Sequence, residues 1–513
     1  MILLLSIPPL REARASNVGD SLIVGIQSTK TDGVYPLNPV ERDIVSIYHL
    51  VYESLVYIDD DYMPQPLLAE SWTEDGEGKT WTFNLRRNVT FSDGTPMTAR
   101  DVVATVNYIL EMAKDEESPV KGYYSNLKYF IGRITAPNDY TVVIRAGSGR
   151  SYYGLLYAMT FPILSESDLR QENPMGTGPY IITRFRDGQN DTILLEANQN
   201  WWKNLPKVRS ISFVCYSTQR DVIEAYEYGR VNTIFSRAIA ASQYKSGTNS
   251  LSLDYRTNQL EVLMMYQDSG RLRSVNVRKA IRHAIDVDYI ANHVYMGMVY
   301  RTDTPAIPGT WLYNDGVSAS FGHDVEKARR LLEEDGWADT NEDGVLDKVV
   351  DDQSIDLSVR LYVYEEPDND VRFEAANIIK EQLAVIGIKV DIVTGTYQSV
   401  KEKLQAGSFA MALCSFAMDP VPDYGFLLMN GNTGNFGRYR SGDMLDLCNR
   451  LRTCYQPGEF RNTLWQIQEL FAEDCPFLCL YYRGGTVLTR YMYTTVRDVR
   501  ELELLRGIES FNP

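Results

Sequence analysis

Residues Val51–Leu110 read VYESLVYIDDDYMPQPLLAESWTEDGEGKTWTFNLRRNVTFSDGTPMTARDVVATVNYIL, and the order of signals in this stretch decides the fold. Gly76 and Gly78 punctuate a turn. Trp81, Phe83 and Leu85 alternate as a strand with one apolar face, and Ser92-Asp93-Gly94-Thr95-Pro96 makes a second turn. Thr98 stands three residues before Asp101 and N-caps a helix carrying Val102, Val103, Val106 and Ile109. A strand over Thr141–Ile144 closes the unit.

Upstream, Ser21–Gln27 alternates as an apolar strand and Asp43–Leu55 has helical spacing. Downstream, Gly176-Thr177-Gly178-Pro179 marks a boundary between folded units. Strands follow at Tyr180–Arg184, Thr192–Glu196 and Val208–Tyr216, then a helix from Thr218 to Tyr228 that stops at Gly229. A second large unit begins near Leu263. It has helices at Val277–Ala291, Val325–Glu334 and Asp370–Ile386, an extended Ile355–Tyr364, and strands at Lys389–Thr394 and Phe409–Phe416. Helices alternating with strands predict α/β layering.

The chain has 513 residues, more than one core usually serves, so two or three domains are expected. A formal net charge of -17 disfavours nucleic acid and anionic lipid as partners. The 34 Tyr and seven Trp suit wet, adaptable binding surfaces, although most of them serve a large core. Met1–Ala15, with an apolar run at Ile2–Leu5 and Ala13-Arg14-Ala15 at its end, reads as an incomplete export signal without a basic start. A lipid anchor would need an N-terminal Cys, and none precedes Cys215. Of the six Cys, Cys448-x5-Cys454 and Cys475-x3-Cys479 miss zinc-ligand spacings. On one helix Cys448 and Cys454 would stand roughly 9 Å apart, out of disulfide reach. Buried free thiols are expected, with Cys475–Cys479 as the alternative pairing.

Several ordered blocks resemble the extracytoplasmic solute-binding proteins of peptide and nickel ABC importers, the oligopeptide- and dipeptide-binding family known as family 5. They are Tyr52-Glu53-Ser54-Leu55, PLLAESW from Pro66 to Trp72, WTFNLR from Trp81 to Arg86, and FSDGTP from Phe91 to Pro96 with Ala99-Arg100-Asp101-Val102. Gly176-Thr177-Gly178-Pro179-Tyr180, Val277-Arg278-Lys279-Ala280-Ile281 with Ala284-Ile285-Asp286, and ARRLLEEDGW from Ala328 to Trp337 continue the pattern. The resemblance implies a two-lobed, periplasmic-binding-protein-like α/β fold (type II, cluster C) that closes over its ligand. Residues 1–20 would be a residual export signal or flexible N-terminus. Residues 21–46, 175–265 and 477–513 would form the core of lobe I, 47–174 an extra domain on that lobe, and 266–476 lobe II, with hinges near Leu263–Gln267 and Phe477–Tyr481.

The same resemblance implies the ligand contacts. Asp419 matches the position that holds a peptide's α-ammonium, and a closed cleft requires a carboxylate for such a cation. Its other reading is a turn-forming Asp before Pro420. Main-chain groups of Ser415 and Ala417 would pair with an extended peptide, and Phe416 and Tyr397 match aromatics that face ligand side chains, with core packing as their rival role. Arg42, Asp43, Tyr123, Tyr124, Tyr266 and Tyr482 are further candidates. Where an oligopeptide binder carries an Arg for the ligand carboxylate, this strand has Leu413, and no cation matches around Leu404; Arg438, Arg440 or water are the alternatives. The loop Asp339-x-Asn341-x-Asp343-Gly344 with Asp347 resembles a calcium loop, but Val350 stands where the bidentate Glu belongs, so an acidic turn is the better reading.

The function implied is capture of a small peptide and its delivery to the permease subunits of an ABC importer, by an extracytoplasmic monomer needing no cofactor. The alternatives are a non-peptide solute (a nickel chelate, haem, a sugar or an amine-bearing compound) and an extracytoplasmic ligand sensor. The four His are scattered at His49, His283, His293 and His323, which gives nickel little support. No GxSxG, HExxH, Walker or dinucleotide-binding pattern occurs, so an enzyme is not expected.

Overall fold

The computed structural model describes residues 19–29, 35–37, 41–114, 124–147, 152–184, 191–245, 250–350, 352–366, 370–496 and 499–511. The export-signal reading of Met1–Ala15 and the ligand assignment of Tyr123 fall outside them.

One mixed sheet of 11 strands runs through the molecule. From one edge its order is Lys389–Gly395, Ser358–Tyr364, Met411–Ala417, Leu251–Met265, Leu478–Thr489, Thr233–Ser236, Ser21–Gln27, Ser210–Tyr216, Thr192–Ala197 and Tyr180–Arg184, with Val299–Arg301 pairing onto Leu478–Thr489. Leu22, Val24 and Ile26, alternating along the first strand, are fully buried, as an apolar period of two requires. The two long strands, Leu251–Met265 and Leu478–Thr489, are antiparallel neighbours and join the halves of the sheet. Their ladder is interrupted between Arg256 and Leu260 and again between Glu261 and Val262. Gly485 allows this packing, because a Cβ there would lie 2.3 Å from the Tyr255 ring and 2.9 Å from the Ser236 carbonyl oxygen.

The quoted stretch folds as its pattern predicts. Thr80–Leu85 is the second strand of a separate four-stranded sheet, ordered Ala69–Glu74, Thr80–Leu85, Thr141–Ala146, Ile131–Asn138. Thr98 and Asp101 form a reciprocal capping box at the start of helix Ala99–Met112, which satisfies N–H groups that the helix itself cannot. Gly176 and Gly178, read as boundary residues, have a packing reason: a Cβ on Gly176 would stand 2.0 Å from the Val51 carbonyl oxygen, and the Gly178 N–H donates to that oxygen at 2.9 Å.

Two predicted elements are divided. Val277–Ala291 is two helices, Val275–Ala284 and Val287–His293, because Ile285 is extended and Asp286 caps the second by accepting from the Tyr289 N–H. Ile355–Tyr364 is split between Gln353–Asp356, a hairpin partner of Asp347–Val350, and the sheet strand Ser358–Tyr364. All six Cys are free and buried, which sets aside the Cys475–Cys479 pairing. Among the described residues no helix is long and apolar enough to cross a membrane.

Candidate ligand-binding site

The site is built on strand Met411–Ala417. One edge pairs with Leu251–Met265 along its whole length, from Gln259 opposite Ala417 to Met265 opposite Met411. The other edge pairs in parallel with Ser358–Tyr364 only from Met411 to Leu413. The strand therefore runs past its neighbour, and Ser415, Phe416 and Ala417 lie on the extension, Ser415 and Phe416 half-buried and Ala417 exposed.

A pocket of about 240 Å³ opens beside that extension. Ser415 and Phe416 line it together with Tyr364, Tyr397, Phe426 and Phe436. Phe416 stacks on Phe436 (centroids 6.1 Å apart, planes at 23°) and meets Phe426 edge-on at 6.2 Å. Tyr397 meets Tyr364 edge-on at 5.4 Å. Helix Tyr397–Ala406 supplies one wall through Tyr397, Val400, Lys401 and Leu404, residues that helical periodicity brings to one face. Lys401 is the cation that sequence matching at Leu404 overlooked; the i, i+3, i+4, i+7 spacing of these four was the signal that could have found it.

Behind the pocket lies a second group that sequence reasoning missed. Glu261, directly opposite Ser415 in the sheet, accepts from Arg372 Nη1 and Nη2 at 2.6 and 2.9 Å and from Arg483 Nε at 2.6 Å. Glu366 accepts from the same two guanidinium groups, at 2.9 Å from Arg372 and 2.7 and 3.2 Å from Arg483. The Arg372 guanidinium lies 4.0 Å from the Tyr364 ring centroid and so backs one wall of the pocket. Burial works against ionisation of Glu366, but Arg483 and Arg372 outweigh it and hold the carboxyl below its ordinary range. Burial also pushes the Cys414 thiol, which lines the pocket, up to about 12.

Asp419 is exposed and forms the turn that its position before Pro420 allowed. Its Oδ1 accepts from the Val421 N–H at 2.8 Å, while Oδ2 accepts from Asn126 Nδ2 at 2.7 Å. Asn126 belongs to the 47–174 region, so Asp419 sits on a seam between that region and 266–476. Tyr124, half-buried, lies in the same turn as Asn126 and accepts from the Leu127 N–H through its carbonyl. The seam is lengthened by Phe460, which packs against Tyr152, Tyr153 and Tyr157, and by the Trp311 indole N–H, which donates to the Tyr62 carbonyl at 3.1 Å.

Four expected contacts lie elsewhere. Arg42 and Asp43 line a different pocket of about 230 Å³ with Gln27, Ser28, Thr29, Glu41 and Arg237. There Arg237 donates to Asp43 Oδ1 at 2.8 Å, and Arg42 to Glu501 Oε1 at 3.0 Å. Tyr266 follows Met265 and is held at the opposite end of the strand from Ala417 by the antiparallel register; its ring packs on Phe409 at 5.3 Å. Tyr482 is 1% exposed and donates its hydroxyl to the Pro305 carbonyl at 2.6 Å. Of the two substitutes for a carboxylate-binding Arg, Arg440 is paired bidentately with Asp268 and Arg438 is exposed; neither lines the aromatic pocket.

The acidic loop bonds to itself. Asp339 accepts from the Asp343 and Gly344 N–H groups, Asn341 bonds Asp343, and the buried Asp347 accepts from Thr340 and Ser354. Among the described residues no group of three or more His, Cys, Asp or Glu is arranged to hold a metal ion.

Comparison with known proteins agrees with this architecture. The chain is 24% identical over 514 aligned positions to the oligopeptide-binding protein AppA of Bacillus subtilis, covering 94% of this chain and 91% of AppA. It is 24% identical to the nickel-binding periplasmic protein of Escherichia coli, covering 77% of this chain and 75% of that one. The solved structure of Bacillus subtilis AppA in complex with a nonapeptide superimposes with a TM-score of 0.64 at 22% identity, covering 96% of this chain and 99% of that one. Residues 63–438 match the middle region of the bacterial extracellular solute-binding proteins, family 5, and the chain belongs to that family of binding proteins, which are not enzymes.

Proposed function

We propose that the protein is the substrate-binding component of an ABC importer and captures a small peptide outside the membrane as a monomer. The observation that carries this reading is the strand extension at Ser415–Ala417. It offers main-chain donors and acceptors beside an aromatic-lined pocket, the arrangement by which an extended peptide adds to a sheet while its side chain enters a pocket. Asp419 is assigned to the peptide ammonium and Lys401 to its carboxylate or to an acidic side chain. Phe416 and Tyr397 face a ligand side chain.

In this reading lobe I comprises 21–46, 175–265 and 477–513 with 47–174 as its extra domain, and lobe II comprises 266–476. The division is supported by the sheet, whose two halves are joined through the two long strands. Ligand contacts shared by both lobes exist only when they are closed, so binding favours closure. The name of the AppA relative supports a peptide; the nickel-binding relative shows that a match of this kind extends to other solutes.

Mass spectrometry of material that co-purifies with the protein, followed by calorimetry with the peptides found, tests the proposal. Free-amine peptides are expected to bind, N-acetylated ones more weakly, and Asp419→Asn to erase the difference, a loss of about 1.5–3 kcal/mol for a charged hydrogen bond. Recovery of a metal chelate or another non-peptide solute, with no peptide binding, overturns it.

A further inference from the structure

A second cavity, of about 510 Å³, shares no lining residue with the pocket at Phe416. Its floor is cationic. Lys279 and Arg282 come from helix Val275–Ala284, three residues apart and hence on one face, and Lys327 comes from helix Val325–Glu334. Both lysines are half-buried, and Arg282 is 6% exposed. The Arg282 guanidinium rests 4.0 Å from the Phe321 ring centroid, and it donates from Nη1 to the Ala472 carbonyl at 3.3 Å and from Nη2 to the Ser320 carbonyl at 2.7 Å. Its Nε–H has no acceptor among the described residues.

Arg278, one turn earlier on the same helix, provides an internal comparison. It is equally buried, yet it makes four hydrogen bonds, to the carbonyls of Cys475, Leu272, Arg273 and Asp474, and does not line the cavity. Each of the three Arg278 nitrogens has an acceptor; Arg282 Nε has none among the described residues. Among the described residues, moreover, no carboxylate lies within ion-pair distance of Lys279, Arg282 or Lys327. The two carboxylates that line the cavity, Glu469 and Glu473, are both exposed, and Glu469 already accepts from Asn314 Nδ2 at 3.1 Å. A buried guanidinium bonded only to carbonyl groups has its charge offset only at longer range, here by Asp303, and two further cations facing the same space add repulsion.

We infer that this cavity is a binding site for a small oxyanion, phosphate- or carboxylate-bearing, held by the fork of Arg282 and the two lysines. The inference does not depend on the peptide reading, because none of its residues belongs to that site.

The test uses the full chain in a zwitterionic buffer at low ionic strength, with inorganic phosphate, citrate, or sodium chloride at matched ionic strength. Phosphate or citrate is expected to raise the unfolding temperature beyond chloride, and calorimetry to show saturable binding. Lys279→Gln/Lys327→Gln should weaken that binding about tenfold or more, each lysine supplying a charge-assisted contact. Arg282→Lys, which keeps the charge but loses the fork, should weaken it as well while preserving the fold. A response to phosphate alone identifies a phosphate site, and a response to citrate alone a carboxylate site. Equal responses to chloride, or binding unchanged in both variants, overturn the inference.

Discussion

Replacing Arg372 by Met should produce a larger loss of stability than replacing Arg372 and its partner Glu261 together. Glu261, Glu366, Arg372 and Arg483 form a formally neutral set, and the Arg372 and Glu261 side chains are 3% and 2% exposed. Arg372→Met leaves two carboxylates against one guanidinium, one net negative charge where water hardly reaches. Removing one partner of such a pair costs about 3–5 kcal/mol. A direct Coulomb estimate, about 4 kcal/mol for unit charges at ~4 Å and an effective dielectric of ~20, falls in the same range. Arg372→Met/Glu261→Leu restores neutrality, because Arg483 keeps its two bonds to Glu366 and the substituted side chains can pack. The double variant should therefore recover about 2 kcal/mol relative to the single one.

Urea unfolding, followed by far-ultraviolet circular dichroism and by Trp fluorescence with coincident transitions, measures both differences. A single variant costing less than about 1 kcal/mol, or a double variant less stable than the single, would refute the reasoning. The acid side provides a second check. Glu366 titrates below its ordinary range in the folded protein, so its contribution is complete above the unfolded value of about 4.3 and is lost as pH falls through the folded value. With Arg372 gone, that acid-dependent loss should become shallower.

Phe416→Ala should weaken binding of peptides with an aromatic side chain by about 2–3 kcal/mol in calorimetry, since it removes the ring that contacts both Phe426 and Phe436; equal affinity would remove Phe416 from the site. Lys401→Gln should cost about 1 kcal/mol against peptides with a free carboxylate and nothing against their amides, with the difference shrinking at high salt. Gly176→Ala should destabilise the protein by about 2 kcal/mol or more, because the new methyl meets the Val51 carbonyl, a backbone atom that cannot swing aside; an unchanged denaturation midpoint would contradict the close approach.

Local chemistry explains which parts of the fold were legible. Thr98 and Asp101, and Leu22 to Ile26, act within a few residues of themselves, so their spacing carries the whole signal. Ser415, Phe416 and Tyr397, expected from family resemblance, line one pocket. Lys401 became visible only once the helix axis fixed which face it shared with Leu404. Tyr266 and Tyr482 lie away from that pocket, and only the register decides where a Tyr near a long strand falls: Met265 opposite Met411 carries Tyr266 past the far end, and Tyr482, opposite Leu260, is buried. The buried charge group was beyond sequence reasoning, since Glu261, Glu366, Arg372 and Arg483 come from widely separated segments with no common period.

Arg42 and Asp43 still bear on the site, though from a distance. Arg237 joins Asp43 to Glu501, and Glu501 Oε2 accepts from the Asn258 N–H at 3.0 Å. The Asn258 carbonyl in turn accepts from the Met418 N–H at 2.8 Å, one residue before Asp419. This line exists because the ladder between the long strands breaks from Arg256 to Leu260. The bond from Met418 continues the Gln259–Ala417 register by one residue, while the break in the other ladder leaves the Asn258 N–H to bond the Glu501 carboxylate. The turn at Asp419 therefore begins where the pairing of Met411–Ala417 with Leu251–Met265 runs out, beside the Asn258–Glu501 bond. The helix carrying Arg42 and Asp43 works as part of the frame that aims this turn, and a contact with ligand is not needed to explain charged residues at those positions.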